Sequence, residues 1–248
     1  MGKSMNDYMR AQARTLPGRA DMAVDAGLRG FMLGVYNKMA LGLVLSAALA
    51  FIAASVPAVT QLVFGTPLRF VVMFGPIALL LISAFAMRNP SPTGANLLYW
   101  SIVTLIGTGM GALLMVYGAR PGGMLDVAKA FLTTAVAFGA LSLWGYTTKK
   151  DLSGFGTFLI MGLIGLIVAS IVNMFLQSDA MSFIISAAGV LIFAGLTAFD
   201  TQRLKFSYYE LGGDARALSV ATTFGALSLY LNFVNLFQFL LSLMGNRD

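Results

Sequence analysis

The sequence predicts an all-α polytopic membrane protein with seven transmembrane helices, and three observations carry that prediction. Of 248 residues, 58% are hydrophobic and only 10% charged, with a mean hydropathy of +0.82, far from the balance of a water-soluble domain. Seven apolar stretches each approach the ~17–25 residues that a helix needs to cross the hydrocarbon core. The segments between them are short and carry turn chemistry, so no separate soluble domain is expected.

Taken in order, residues 1–27 are polar and mixed in charge. They lack the basic, apolar and small-residue order of a cleavable signal, and read as a cytosolic arm. Residues 28–248 then form one transmembrane domain. The segment 22–36 (MAVDAGLRGFMLGVY) predicts a short interfacial helix leading into the first span. The spans themselves are expected near 39–59, 68–87, 94–117, 125–146, 153–176, 181–205 and 218–244. Their separators include Asn89-Pro90-Ser91-Pro92, Arg120-Pro121-Gly122-Gly123, Lys149-Lys150-Asp151, Gln177-Ser178-Asp179 and Gly212-Gly213-Asp214.

Basic residues set the orientation. With the N-terminus inside, Lys3, Arg10, Arg14, Arg19, Arg29, Lys38, Arg88, Lys149, Lys150, Arg203, Lys205 and Arg216 lie on the cytoplasmic side. Arg69, Arg120, Lys129 and Arg247 lie outside, with Lys129 snorkelling to the outer interface. Seven spans then put the C-terminus on the periplasmic side. The net charge of +6 is scattered over loop ends and the arm rather than gathered on one face, which argues against a nucleic-acid partner and for the lipid bilayer.

The chain has neither Cys nor His. Disulfides, thiolate metal sites and cysteine nucleophiles are excluded, and proton chemistry falls to carboxylates, Lys and Tyr. Ser153-Gly154 therefore has no His to activate a serine nucleophile.

One acid, Asp200, follows the apolar run Val190–Phe199 and reads as lying inside the membrane near the cytosolic end of span six. The other nine acids fall in the arm, in connections or at the last residue. A charge at depth costs ~2.5–3.5 kcal/mol on insertion scales, so such a carboxylate is paired, faces a cavity or is neutralised. Asp200 is thus the candidate functional centre, with Thr201 and Gln202 supporting it. In span seven Asn232, Asn235 and Gln238 recur every third residue and predict one polar helix stripe. Asn232 and Asn235 are candidates to face Asp200, and Gln238 reads as structural. Asn173 reads as a packing amide. Arg88 is either a positive-inside anchor or a guanidinium folded back onto Asp200.

Two further patterns stand in the sequence. FGALSLW (138–144) in span four is echoed by FGALSLY (224–230) in span seven. An odd offset of three spans would invert one copy relative to the other, as in inverted-repeat transporters, and chance among small and apolar residues is the other reading. Phe199-Asp200 with Leu211-Gly212-Gly213-Asp214 faintly matches an intramembrane aspartyl protease. The spacing argues against it, because Asp214 lies in a connection rather than at depth, and no enzyme is predicted.

Three segments, GLTAFDTQRLK (195–205), GALSLYLNFVNLF (225–237) and LWGYTTKKDLSGFG (143–156), together resemble the Bax inhibitor-1, or YccA-like, family. The resemblance covers nearly everything after the arm. It implies seven helices with the last one central and surrounded by the other six, a bacterial inner membrane, and a pH-sensitive calcium leak. It also implies an aspartate on each of the last two helices sharing a proton, and an arginine on the second helix latching the closed pore. Asp200 matches the first aspartate and Arg88 the arginine, whereas Asn232 stands at the position of the second aspartate. The expected function is a calcium leak channel or slow transporter gated by protonation of Asp200. Asp200 would be a weak calcium contact, calcium the cargo, and no cofactor is expected. The alternative is a non-transporting regulator of a membrane-bound quality-control protease, reached through the arm. No oligomeric state is predicted.

Overall fold

The computed structural model describes residues 26–86 and 89–245. Over those residues the chain is all-α: α1 (Ala26–Ser55), α2 (Pro57–Phe64), α3 (Leu68–Ala86), α4 (Pro92–Gly118), α5 (Gly123–Thr147), α6 (Ser153–Leu176), α7 (Asp179–Glu210) and α8 (Ala215–Gly245). All but the eight-residue α2 are long and apolar enough to cross a membrane. Of the expected arm, only Ala26 and Gly27 fall within the described residues.

The start of the chain corrects two expectations. In place of an interfacial helix over 22–36 and a span from 39, α1 runs unbroken for 30 residues, or ~45 Å, longer than a ~30 Å hydrocarbon core. Its early glycines are tolerated because Leu28, Phe31, Met32 and Val35 are buried in the main core, and packing outweighs helix propensity. The first span also ends at Ser55 rather than 59. Val56 is extended, and Pro57, which has no N–H to donate, opens a separate short helix. Thr60 donates its hydroxyl across this break to the Ala53 carbonyl at 2.7 Å, satisfying an acceptor at the helix end.

The sixth span is likewise longer than expected. Residues 206–210 continue α7 to Glu210, and the turn comes only where Gly212 (φ 57°) and Gly213 (φ 85°) adopt left-handed backbone. Asp214 then caps α8, accepting from the Arg216 and Ala217 amides at 2.8 and 3.1 Å. That role removes Asp214 from any catalytic pair. Ser228 lies fourteen residues further along α8, a rise of ~21 Å.

α8 is the most buried span, packing against α7, α1, α5 and α4, while α3 leans on α4 and α6 on α7. Lipid tails are as apolar as leucine, so helix association here rests on close packing and interhelical hydrogen bonds rather than on the hydrophobic effect. Tyr99 and Tyr230 are fully buried, with Phe131 and Phe138 set edge-on to Phe233. Tyr99 donates to the Lys38 carbonyl at 2.7 Å, and Tyr230 shares a 2.7 Å bond with Ser46. Lys38 in turn donates to Asn96 and Thr223 at 2.6 and 2.7 Å, tying α1, α4 and α8 together within their N-terminal halves. Gly145 lets α5 lie directly on α7: a Cβ there would collide with the Ala198 carbonyl oxygen.

Candidate functional site: a carboxylate held between α7 and α8

Asp200 lies on α7 just beyond the Gly145 crossing, and its side chain is 7% exposed. Both carboxylate oxygens are occupied. Oδ2 accepts from the Ser228 hydroxyl at 2.6 Å and from Asn232 Nδ2 at 2.8 Å, both on α8. Ser228 and Asn232 are four residues apart, so they share one face of that helix. Oδ1 is 2.8 Å from Arg203 Nη2, an i,i+3 pair on α7 itself.

The guanidinium is half exposed. It stacks 5.6 Å from the Phe199 ring, and the same Nη2 reaches the Ser228 hydroxyl at 3.5 Å. Arg203 donates to Ser228 and Ser228 to Asp200, which closes a small triangle of charge-assisted bonds. Beyond the guanidinium a polar cavity of about 220 Å³ opens between α7 and the start of α6, lined by Ser153, Gln202, Arg203, Phe206 and Glu210 among others.

The sequence candidates divide around this centre. Asn232 meets Asp200 directly. Asn235 donates to the Leu231 carbonyl of its own helix at 2.8 Å, and Gln238 is exposed. The physical reason is the period: a spacing of three falls ~60° short of a full turn at each step, so a three-residue stripe winds away from its starting face. Thr201 donates to the Thr197 carbonyl at 2.8 Å and lies 3.4 Å from Ser142 on α5. Gln202 accepts from the Leu152 amide at 2.8 Å and donates to the Lys150 carbonyl at 2.7 Å, which pins the α5–α6 connection to α7. Neither supporting residue reaches the carboxylate. Arg88 lies outside the described residues.

Arg203 and Ser228 are the partners that sequence reasoning missed. Arg203 counted only as a positive-inside charge, although its i,i+3 spacing from Asp200 was a readable signal. Ser228 was hidden inside the FGALSLY echo. The two echo segments place equivalent hydroxyls against adjacent residues of α7: Ser142 against Thr201 and Ser228 against Asp200.

Outside this triangle, Lys129 pairs with Asp126 at 3.8 Å. Asn173 donates to Ser182 at 2.8 Å and accepts from the Ser178 amide at 3.1 Å, so it serves the α6–α7 turn. Among the described residues no three acidic side chains converge as a metal cluster. Any cation that engages Asp200 must therefore compete with Arg203 for the one carboxylate.

The family model described as inhibitor of apoptosis-promoting Bax1 matches residues 28–248. A protein of Caulobacter vibrioides is 60% identical over 98% of this chain and 100% of its own length. A Rickettsia prowazekii protein is 38% identical over 98% of this chain and 99% of its own. The inner membrane protein YbhL of Escherichia coli is 39% identical over 92% of this chain and 97% of its own.

Proposed function

Because this chain belongs to the Bax inhibitor-1 family, a family not generally enzymatic, we propose that it is a multi-pass inner-membrane calcium leak or slow transporter gated at Asp200. The N-terminus faces the cytoplasm and the C-terminus the periplasm, as the distribution of Lys and Arg supports. In this reading α8 is the central axis of the bundle, and the pathway opens along its seam with α7.

The observation that carries the reading is the double engagement of Asp200: neutralised by Arg203 within α7 and pinned across to α8 by Ser228 and Asn232. Charge-assisted hydrogen bonds are roughly twice as strong as neutral ones. Protonating Asp200 therefore weakens the bonds that tie it across this seam to Ser228 and Asn232 and also removes its attraction for a cation. Calcium prefers six to eight oxygens. Asp200, Ser228 and Asn232 offer only a few, with water making up the rest, and weak binding of this kind suits a leak.

The test is calcium flux into proteoliposomes across a pH series. Asp200→Asn is expected to abolish the pH dependence, and a profile that coincides with the unmodified chain at every pH overturns the gate assignment.

A second reading, a non-transporting regulator of a membrane-bound quality-control protease, is favoured by one observation. Asp200 meets the Asn232 amide rather than a second carboxylate that could share its proton, which leaves Asp200 a structural tie. Under this reading deletion of residues 1–27 abolishes the regulatory association, whereas a leak retains its flux.

A further inference from the structure

The face that α7 turns to α8 can be followed from one end to the other. Ser186, Gly189, Phe193, Leu196, Asp200 and Arg203 recur at alternating intervals of three and four, the spacing that keeps residues on one side of a helix packed along a partner. On α8 the residues they meet run in the opposite direction: Ser228 and Asn232 against Asp200, Phe239 against Phe193, and Ser242 against Ser186. The seam is polar at both ends and apolar between them.

The middle is tightly closed. The Phe193 and Phe239 rings stack at 5.8 Å with 25° between their planes. Phe239 also fits over Gly189, where a Cβ would sit 2.6 Å from two of its ring carbons. Leu196 and Leu236 are buried in the same cluster. Two polar neighbours spend their hydrogens on their own helices: Thr197 donates to the Phe193 carbonyl and Asn235 to the Leu231 carbonyl, both at 2.8 Å. One turn beyond Phe239, the hydroxyls of Ser186 and Ser242 share a 3.0 Å hydrogen bond.

This closure is separate from the one at Asp200. Seven residues lie between Phe193 and Asp200 along α7, a rise of ~10 Å, and neither the stacked rings nor the two hydroxyls carry a charge. Protonating Asp200 loosens its own bonds and leaves these intact. Water needs two to four polar partners, and side chains such as Phe193, Leu196, Leu236 and Phe239 offer none to the shell of a hydrated cation. Apolar constrictions block ions by staying dry.

We propose that Phe193 and Phe239 form a second, pH-independent gate on the α7–α8 seam, clamped by Ser186 and Ser242, which a cation must pass in addition to Asp200. The inference rests on the leak reading, in which the pathway follows this seam. Asp200 then sets the pH at which the seam responds, and the aromatic pair sets how much flux passes.

The experiment measures calcium flux into proteoliposomes holding the full chain, across a pH series. The sequence contains no Cys, so Ser186→Cys combined with Ser242→Cys permits a single intramolecular disulfide, formed with copper phenanthroline and verified by intact mass. Oxidation should lower flux about tenfold at every pH, and dithiothreitol should restore it. Phe239→Asn should raise flux about tenfold without moving the midpoint of the pH profile, whereas Phe239→Leu, close to it in size but apolar, stays near the unmodified chain. Unfolding midpoints in detergent identify a variant that has lost its fold; if Phe239→Asn has, the disulfide pair, which exchanges only two oxygens for sulfur, decides. A pair that does not cross-link, flux that the disulfide leaves unchanged, equal flux in Phe239→Asn and Phe239→Leu, or a pH midpoint that moves with Phe239→Asn overturns the gate and leaves the leak reading standing. An unmodified chain with no flux at any pH overturns the leak reading and the gate with it.

Discussion

Replacing Arg203 by glutamine removes the cation that occupies Asp200 and keeps a side chain of similar length. A unit pair at 2.8 Å attracts by ~6 kcal/mol at an effective dielectric of ~20 and by ~1.5 kcal/mol in water. The guanidinium is 50% exposed, which places its net contribution near the lower figure, ~1.5 kcal/mol, at the low end for hydrogen bonds to charged groups. An incoming cation must now displace that interaction, and in Arg203→Gln it need not. Each ~1.4 kcal/mol is tenfold, so the calcium concentration giving half-maximal flux should fall ~10-fold. The assay is flux into proteoliposomes holding a calcium indicator, with thermal unfolding recorded to confirm that the variant is folded. Arg88→Gln, measured alongside, should leave the half-maximal concentration unchanged. If Arg203→Gln leaves it unchanged and Arg88→Gln lowers it, Arg203 is not the residue that competes for Asp200.

Three further outcomes follow from the geometry. Asn232→Asp brings a second carboxylate to the 2.8 Å contact now made by the amide; the two should hold one proton between them, adding a step to the flux profile over pH, and an unaltered profile would mean that the side chains do not meet during transport. Gln202→Leu leaves the Leu152 amide and the Lys150 carbonyl without their partner, which should lower stability by roughly 2–4 kcal/mol, read as a depressed unfolding midpoint in detergent. Gly145→Ala forces a methyl into the Ala198 backbone, whereas Gly139→Ala in the same helix meets nothing within 4 Å; the first should cost about 1–3 kcal/mol and the second should be silent, and equal midpoints would refute the close α5–α7 crossing.

Much of the architecture was legible because membrane spans are declared by length and apolarity, quantities read directly from the residues. Asp200 stood out for a related reason: an acid beyond ten apolar residues has few explanations. Asn232 was legible as an amide on the next helix. The remaining partners were not, and the helical period explains most of the difference. Thr201 and Gln202 neighbour Asp200 in sequence but point ~100° and ~200° away around α7, toward α5 and toward the α5–α6 connection. Counting charges for orientation treats each arginine as a flank of the membrane, which concealed that Arg203 completes an i,i+3 pair. The length of α1 escaped for another reason: Arg29 and Lys38 read as ends of a span, yet Lys38 is stitched into the bundle by Asn96 and Thr223.

That Asp200 and Arg203 share one helix bears on how the molecule responds to voltage. A latch reaching from another helix would separate opposite charges when the seam parts, and moving one charge through the membrane field is worth ~2.3 kcal/mol per 100 mV. Here positive and negative travel together on α7, and parting from α8 at Asp200 breaks the bonds to Ser228 and Asn232 and the contact of Arg203 with Ser228, none of which joins two opposite full charges. Under the proposed function, a displacement of this seam then moves no net charge from the Asp200–Arg203 pair, and that pair adds no voltage dependence to the gate.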